Sequence, residues 1–298
     1  MVRMIRTVAI ALAVAASATS GHAAERPAVC SLTETTGKDA IVSVPFETVD
    51  GRIYVTAQVN GKGPFRFAVD TGASGLGRAD ARLVAALGLS VSGSGQSSDG
   101  VATAHVDTVS LDSLALGGLV RRDLSVITRD YNGRMSKEAA FDGIIGRDFF
   151  ADGLLVIDYP NRRLTFTRAA ELTPSAPGVL PYQRAFRVPV TIGSVVTEGQ
   201  LDTGANVAFV LPRSLFDRIG GGAITASGEG NLTNTTIKTD RATVAGPFRI
   251  GAASLANVEV RVSDRFPELL VGAHALSKFA LLIDQRSSSI ALCPPAQR

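Results

Sequence analysis

Tryptophan is absent from this chain of 298 residues, and aromatic residues make up only 6% of it. Proteins that grip bases do so largely by stacking on aromatic faces, so this one is poorly equipped for the task. Histidine is scarce too, with three residues in all. There is no H-E-x-x-H and no cluster of cysteine with histidine, so no zinc spacing occurs. No serine lies in G-x-S-x-G, which weakens a serine hydrolase. Gly220-Gly221-Gly222 lacks the following Lys-Ser/Thr of a phosphate loop. Neither a metal nor a cofactor is expected. An excess of one charge is also missing: the formal net charge is +3. Such a balance gives no footprint for nucleic acid or for an anionic membrane.

Long apolar runs are missing apart from one, Val8–Ala16, which is too short to cross roughly 30 Å of hydrocarbon. Arg3 and Arg6 precede it, and Gly21-His22-Ala23 puts small residues where a signal peptidase needs them. Residues 1–24 therefore read as a signal peptide, with a periplasmic or secreted product. Its removal takes away two arginines and no acid, so the charge falls from +3 to +1. The product is expected to be soluble, with no membrane partner. The chain holds only two cysteines, Cys30 and Cys293. In an oxidising compartment they are candidates for a disulfide tying the two ends together, with two separate thiols as the alternative. Neither stands near a histidine or in a C-x-x-C, so a catalytic role is not expected.

What the chain does have is an internal repeat. Phe65–Ser74 contains Ala-Val-Asp70-Thr71-Gly72-Ala73, and Val196–Asn206 contains Gln-Leu-Asp202-Thr203-Gly204-Ala205. Leu114–Gly117 matches Phe248–Gly251, Gly143–Gly146 matches Glu268–Gly272, and Leu154–Asp158 matches Ala280–Asp284. These blocks keep their order at offsets of 126 (158 to 284) to 134 (117 to 251). One matching block is easy to obtain by chance; four in order indicate duplication. The Pro- and Ser-rich join Ala169–Pro181 divides the mature chain into lobes at 25–177 and 178–298. Short strands punctuated by turns such as Asn60-Gly61 make the fold class all-β, two similar lobes. Short helices are predicted at Ala79–Leu87 and Pro212–Ile219, at matching places.

At ordinary residue usage a chain of this length would hold roughly 0.05–0.1 Asp-Thr-Gly triplets. Two copies, each directly after an apolar strand, call for an explanation beyond a capped turn. An aspartate at a strand end, held by a glycine turn, presents its carboxylate at the edge of its lobe. If two lobes pack about a pseudo-twofold axis, Asp70 and Asp202 meet. Like charges about 3 Å apart cannot both ionise, so the pair keeps one proton. A single water then has a general base and a general acid within reach. Thr71 and Thr203 are placed to bond the opposite lobe, and Gly72 and Gly204 to let the main chain approach closely.

The pattern resembles that of the aspartic peptidase clan, the pepsin and retropepsin group. Asp-Thr-Gly-Ala after an apolar residue, followed later by apolar-apolar-Gly, appears twice, and the similarity runs from about Val42 to Leu292. Each half is retropepsin-sized, so the chain is similar to an exported bacterial retropepsin-like domain duplicated and fused. The resemblance implies an aspartic endopeptidase that acts on peptides or proteins as a monomer. It also implies that Ile144-Ile145-Gly146 and Leu270-Val271-Gly272 thread behind the two aspartate loops and support them.

Two departures from the family bear on activity. Alanine (Ala73, Ala205) follows each triplet where pepsins often carry a hydroxyl that helps hold the pair ionised. Fewer hydrogen bonds to the charged form raise a carboxylate pKa, so a mildly acidic optimum is expected. No tyrosine lies between Gly88 and Leu124, the span where pepsins place their flap tyrosine. The Gly/Ser/Thr/Asn-rich loops Ser92–Ala104 and Thr225–Thr239 are the flap candidates, with plain surface loops as the alternative. His105 and His274 read as lone structural residues, and Asp158 and Asp284 as turn-formers. A carboxylate-pair glycosidase fits the low aromatic content poorly. A catalytically silent peptide-binding protein of the same fold is the other reading.

Overall fold

The computed structural model describes residues 26–133 and 135–296. The signal-peptide expectation for 1–24 falls outside them. Two strands that match each other in sequence, Leu154–Asp158 and Ala280–Asp284, pair antiparallel at the centre, with Val156 opposite Leu282. Antiparallel pairing of corresponding strands is what a twofold relation between the halves produces. Every residue in both strands is buried, which suits their unbroken apolar sequence. Each is flanked by strands of its own half: Arg163–Thr167 and Val42–Pro45 on one side, Ser289–Cys293 and Val179–Pro181 on the other.

Above this shared six-stranded sheet stand two larger sheets of one design. Outward from the aspartate strand Lys62–Asp70, the first runs Gly143–Gly146, Gly77–Asp80, Leu119–Arg129, Thr103–Leu116, Val91–Ser98. Outward from Val195–Asp202, the second runs Leu269–Gly272, Phe209–Pro212, Val258–Ser263, Thr236–Val244, Ile224–Asn231, the same order. The protein is thus all-β with two similar lobes. Alternation of side chains fixes which face each strand buries; Val188, Val190 and Ile192 point inward while Pro189 is exposed. One continuous apolar core runs through both lobes and includes Phe67, Phe149, Phe166, Phe209 and Phe248. Residues 168–178, between the lobes, carry no strand.

Both short helices are present, each trimmed relative to expectation. The first spans Ala81–Leu87, because Asp80 caps it by accepting the Arg82 N–H at 2.9 Å and Ala79 belongs to the preceding strand. Gly88 closes it in the left-handed region, at φ 66°. The second spans Arg213–Arg218, and Pro212, with extended backbone, stands before it. The Ser92–Ala104 and Thr225–Thr239 segments are not loops. Each folds as a β-hairpin, Val91–Ser98 with Thr103–Leu116 and Ile224–Asn231 with Thr236–Val244. Their glycines and hydroxyl residues hid strands that are solvent-exposed along much of their length and so lack apolar alternation.

Asp158 and Asp284 do close turns, accepting the N–H of Asn161 and of Arg286. Asp284 does more. Fully buried, it pairs with Arg286 and accepts the Leu172 N–H, pinning the inter-lobe connection. Cys30 and Cys293 are joined in a disulfide and are both buried.

Candidate active site

Asp70 and Asp202 end their strands at the lobe interface. In each lobe the apolar-apolar-Gly strand runs parallel beside the aspartate strand, with Ile145 against Val69, Gly146 against Asp70, Val271 against Leu201 and Gly272 against Asp202. Just beyond these glycines the chain ties down the aspartate loops. The N–H groups of Arg147 and Ala273 donate to the carbonyls of Ala73 and Ala205, at 3.0 and 2.7 Å. Any side chain on Gly146 or Gly272 would collide with the carbonyls of Gly75 and Val207, so glycine is required at both.

The turn after each aspartate folds back onto its own carboxylate. Asp70 Oδ1 accepts the N–H groups of Gly72 (2.8 Å) and Ala73 (3.1 Å), and Asp202 Oδ1 that of Gly204 (2.8 Å). A Cβ on Gly72 would strike the Asp202 carboxylate, and one on Gly204 would strike that of Asp70. Each turn thus lies against the other lobe's acid, and the two carboxyls come within hydrogen-bond reach of each other. The Asp202 carboxyl touches the cleft but is walled by protein on its other sides. Burial first, and the charge of Asp70 second, push its pKa far above the ordinary carboxylate range.

The threonines lock the two turns together. Thr71 Oγ1 donates to the Leu201 carbonyl (3.0 Å) and accepts the Thr203 N–H (3.0 Å). Thr203 Oγ1 donates to the Val69 carbonyl (2.8 Å) and accepts the Thr71 N–H (3.1 Å). Both are buried, at 1% and 0% exposure, so the four bonds are shielded from water.

Further residues hold the loops that sequence reasoning did not single out. Arg52, on the first lobe, donates from Nε to the Gly204 carbonyl (2.7 Å) and from its terminal nitrogen to Asn206 Oδ1 (3.1 Å). Asn206 in turn donates to Asp50 (2.5 Å), whose other oxygen meets His274 Nε2 at 2.8 Å. His274 therefore does not stand alone; it belongs to an inter-lobe clasp on the Asp202 loop. Arg147 donates to the Gly72 carbonyl (3.3 Å), and Gln285 of the second half holds the Arg147 carbonyl (2.8 Å). His105 lies on the first hairpin.

The two hairpins meet over the aspartates. Asn234 at the tip of one donates its N–H to Asp99 Oδ2 (2.8 Å) and its side-chain amide to the carbonyls of Ser97 (2.7 Å) and Ala102 (3.0 Å). Arg129 donates to Asn234 Oδ1 (2.8 Å). Beneath this roof lies a cleft of about 1300 Å³ that contains both aspartates. Its walls carry an apolar patch from each lobe, Phe141 and Ile144 facing Phe266 and Leu270. Among the described residues no group of histidine, cysteine and acid is arranged to hold a metal ion.

Two duplicated β lobes that share a cleft and a pair of strand-end aspartates define an acid-protease architecture. The family model for aspartyl proteases matches residues 55–149 and 188–275, together more than half of the chain. The chain belongs to the aspartyl protease family. No curated protein sequence matches it.

Proposed function

We propose that the protein is an exported aspartic endopeptidase, active as a monomer, in which Asp70 and Asp202 share one proton and activate a water. The observation that carries this reading is the meeting of the two aspartate turns, each lying against the other lobe's carboxylate, with the pKa of the half-buried Asp202 raised. A pair in that state holds a neutral acid and a carboxylate side by side. The carboxylate takes a proton from water as the water oxygen attacks the peptide carbonyl carbon. The neutral acid gives its proton to the carbonyl oxygen, which yields a tetrahedral diol. Transfer of a proton to the amide nitrogen then breaks the C–N bond, releases amine and carboxylic acid, and restores the shared proton.

Crossed threonine bonds support the coplanar arrangement this chemistry needs, and the hairpin roof supports exclusion of water during reaction. Export rests on the pattern of residues 1–24, and a buried disulfide fits an oxidising compartment. Both aspartates come from one chain, so no second copy is needed to complete the pair.

The test is hydrolysis of a mixed peptide library from about pH 3 to 7 by the mature protein and by Asp70→Asn and Asp202→Asn, with and without pepstatin. Cleavage by the wild type that pepstatin blocks and either substitution removes is the expected result. Peptides left intact at every pH would replace this reading with a catalytically silent peptide-binding protein.

A further inference from the structure

The charges that line the cleft are unequally committed. Of its arginines, Arg52, Arg129 and Arg147 are bound to Gly204 and Asn206, to Asn234 and to Gly72. Apart from the two central aspartates and Glu229, the acids are engaged as well. Asp99 and Asp130 cap their own turns, and Glu268 pairs with Arg187. Glu229 is exposed on its hairpin, opposite Lys238. Arg78 and Arg261 differ. Both line the cleft, and among the described residues neither guanidinium is bound to a carbonyl, amide or carboxylate oxygen.

Their positions are related by the duplication. In the first lobe a cross-strand row runs Ile144, Arg78, Ile127; in the second the same row runs Leu270, Val210, Arg261. Each lobe therefore offers one guanidinium from the same row of its wall, displaced by one strand. Arg78 lies against Tyr131, which itself feels the charge of Asp70. Arg261 stands opposite Arg241, with Glu259 nearby on the same strand, so the local charge there remains positive. A half-buried guanidinium with no carboxylate partner is an incomplete pair, and a planar carboxylate is the group that completes it best.

We infer that the cleft selects peptides bearing an acidic side chain on each side of the scissile bond, one received by Arg78 and the other by Arg261. This rests on the proteolytic reading above. An extended peptide lying across the pseudo-twofold axis, with its cut bond at the aspartate pair, presents flanking side chains to the two related walls. The methylene stem of a glutamate packs on the apolar members of each row while its carboxylate reaches the arginine.

The experiment compares peptides that differ only in the two residues flanking the cut: Glu/Glu, Gln/Gln, Lys/Lys and Leu/Phe. At about pH 6 the wild type is expected to cleave Glu/Glu with a kcat/KM at least about tenfold above Gln/Gln, the scale of a charged hydrogen bond. Below about pH 4, where glutamate protonates, that ratio falls toward one. In Arg78→Gln/Arg261→Gln the ratio is lost, and in Arg78→Glu/Arg261→Glu the preference shifts to Lys/Lys. A wild type that cleaves Gln/Gln or Leu/Phe as well as Glu/Glu overturns the inference and leaves the proteolytic reading intact. Fluorescence anisotropy of labelled Glu/Glu and Gln/Gln peptides on Asp202→Asn reads the same preference without turnover. Equal affinity there also overturns it, even should no peptide be cut by the wild type.

Discussion

At the residue scale, the Asp202 carboxyl carries a stability consequence separate from catalysis. Its pKa is raised in the folded state, so its contribution is fully present below about pH 4, the ordinary aspartate value, and is lost as pH rises through the folded value. An amide in its place would not ionise, and the amide oxygen could still accept the Gly204 N–H. Asp202→Asn is therefore expected to raise Tm relative to the wild type at about pH 8, by more than at about pH 4, while abolishing cleavage. Thermal melts at the two pH values check it; an equal shift at both would refute the linkage. On the proposed mechanism the same raised pKa would set the alkaline limb of kcat/KM, where loss of the shared proton removes the acid. That limb is expected well above the ordinary carboxylate range, consistent with a mildly acidic optimum.

Thr71 and Thr203 set a second expectation at this scale. Thr71→Val keeps the shape but leaves the buried Thr203 N–H and Leu201 carbonyl unpaired, at about 1–3 kcal/mol for each group. Urea unfolding should show a loss of about 2–5 kcal/mol, and Thr203→Val the same, because each hydroxyl gives and accepts one inter-lobe bond. A Thr71→Ser variant, which keeps the hydroxyl, should recover most of the loss.

Elements were legible in proportion to how strongly burial patterned them. The supporting Gly-terminated strands and the central pair Leu154–Asp158 and Ala280–Asp284 are apolar and occur twice, and Asp-Thr-Gly recurs at the end of both aspartate strands, so the sequence displayed both their nature and their relation. The hairpins were missed as strands because their exposed glycines and hydroxyls carry no alternation. The Arg52 clasp left no trace at all. It joins Asp50 and Arg52 to residues some 150 positions away, and Asn206 corresponds to Ser74 in the other half, so duplication gives no second copy to notice. The hairpin roof also carries a prediction. Asn234→Ala deletes the two side-chain bonds that join the tips and the one from Arg129, and it should raise KM severalfold and speed amide exchange across 97–102. Unchanged exchange there would mean that the tips are held by something other than Asn234.

Over the whole molecule, the two halves are joined by one shared sheet and closed by one covalent bond. Cys30 sits in the segment before the first strand and Cys293 ends the last one, with 263 positions between them. Both belong to a small apolar cluster with Leu154, Val156 and Leu282, the residues at which the halves meet. The bond therefore encloses nearly all of the described residues and anchors the Ala28–Ser31 turn beneath the central sheet. By loop entropy alone, a cross-link that long stabilises by about 5 kcal/mol, an upper figure because the denatured chain is not featureless. Cys30→Ser/Cys293→Ser should lower Tm by roughly 10 °C, taking about 2–4 °C per kcal/mol for a chain of this size. The aspartate pair lies apart from that cluster and is fixed by the threonine bonds, so below the lowered Tm the variant should retain kcat/KM. Loss of activity at a temperature where circular dichroism still reports a folded protein would show instead that the tether holds the lobes in catalytic register.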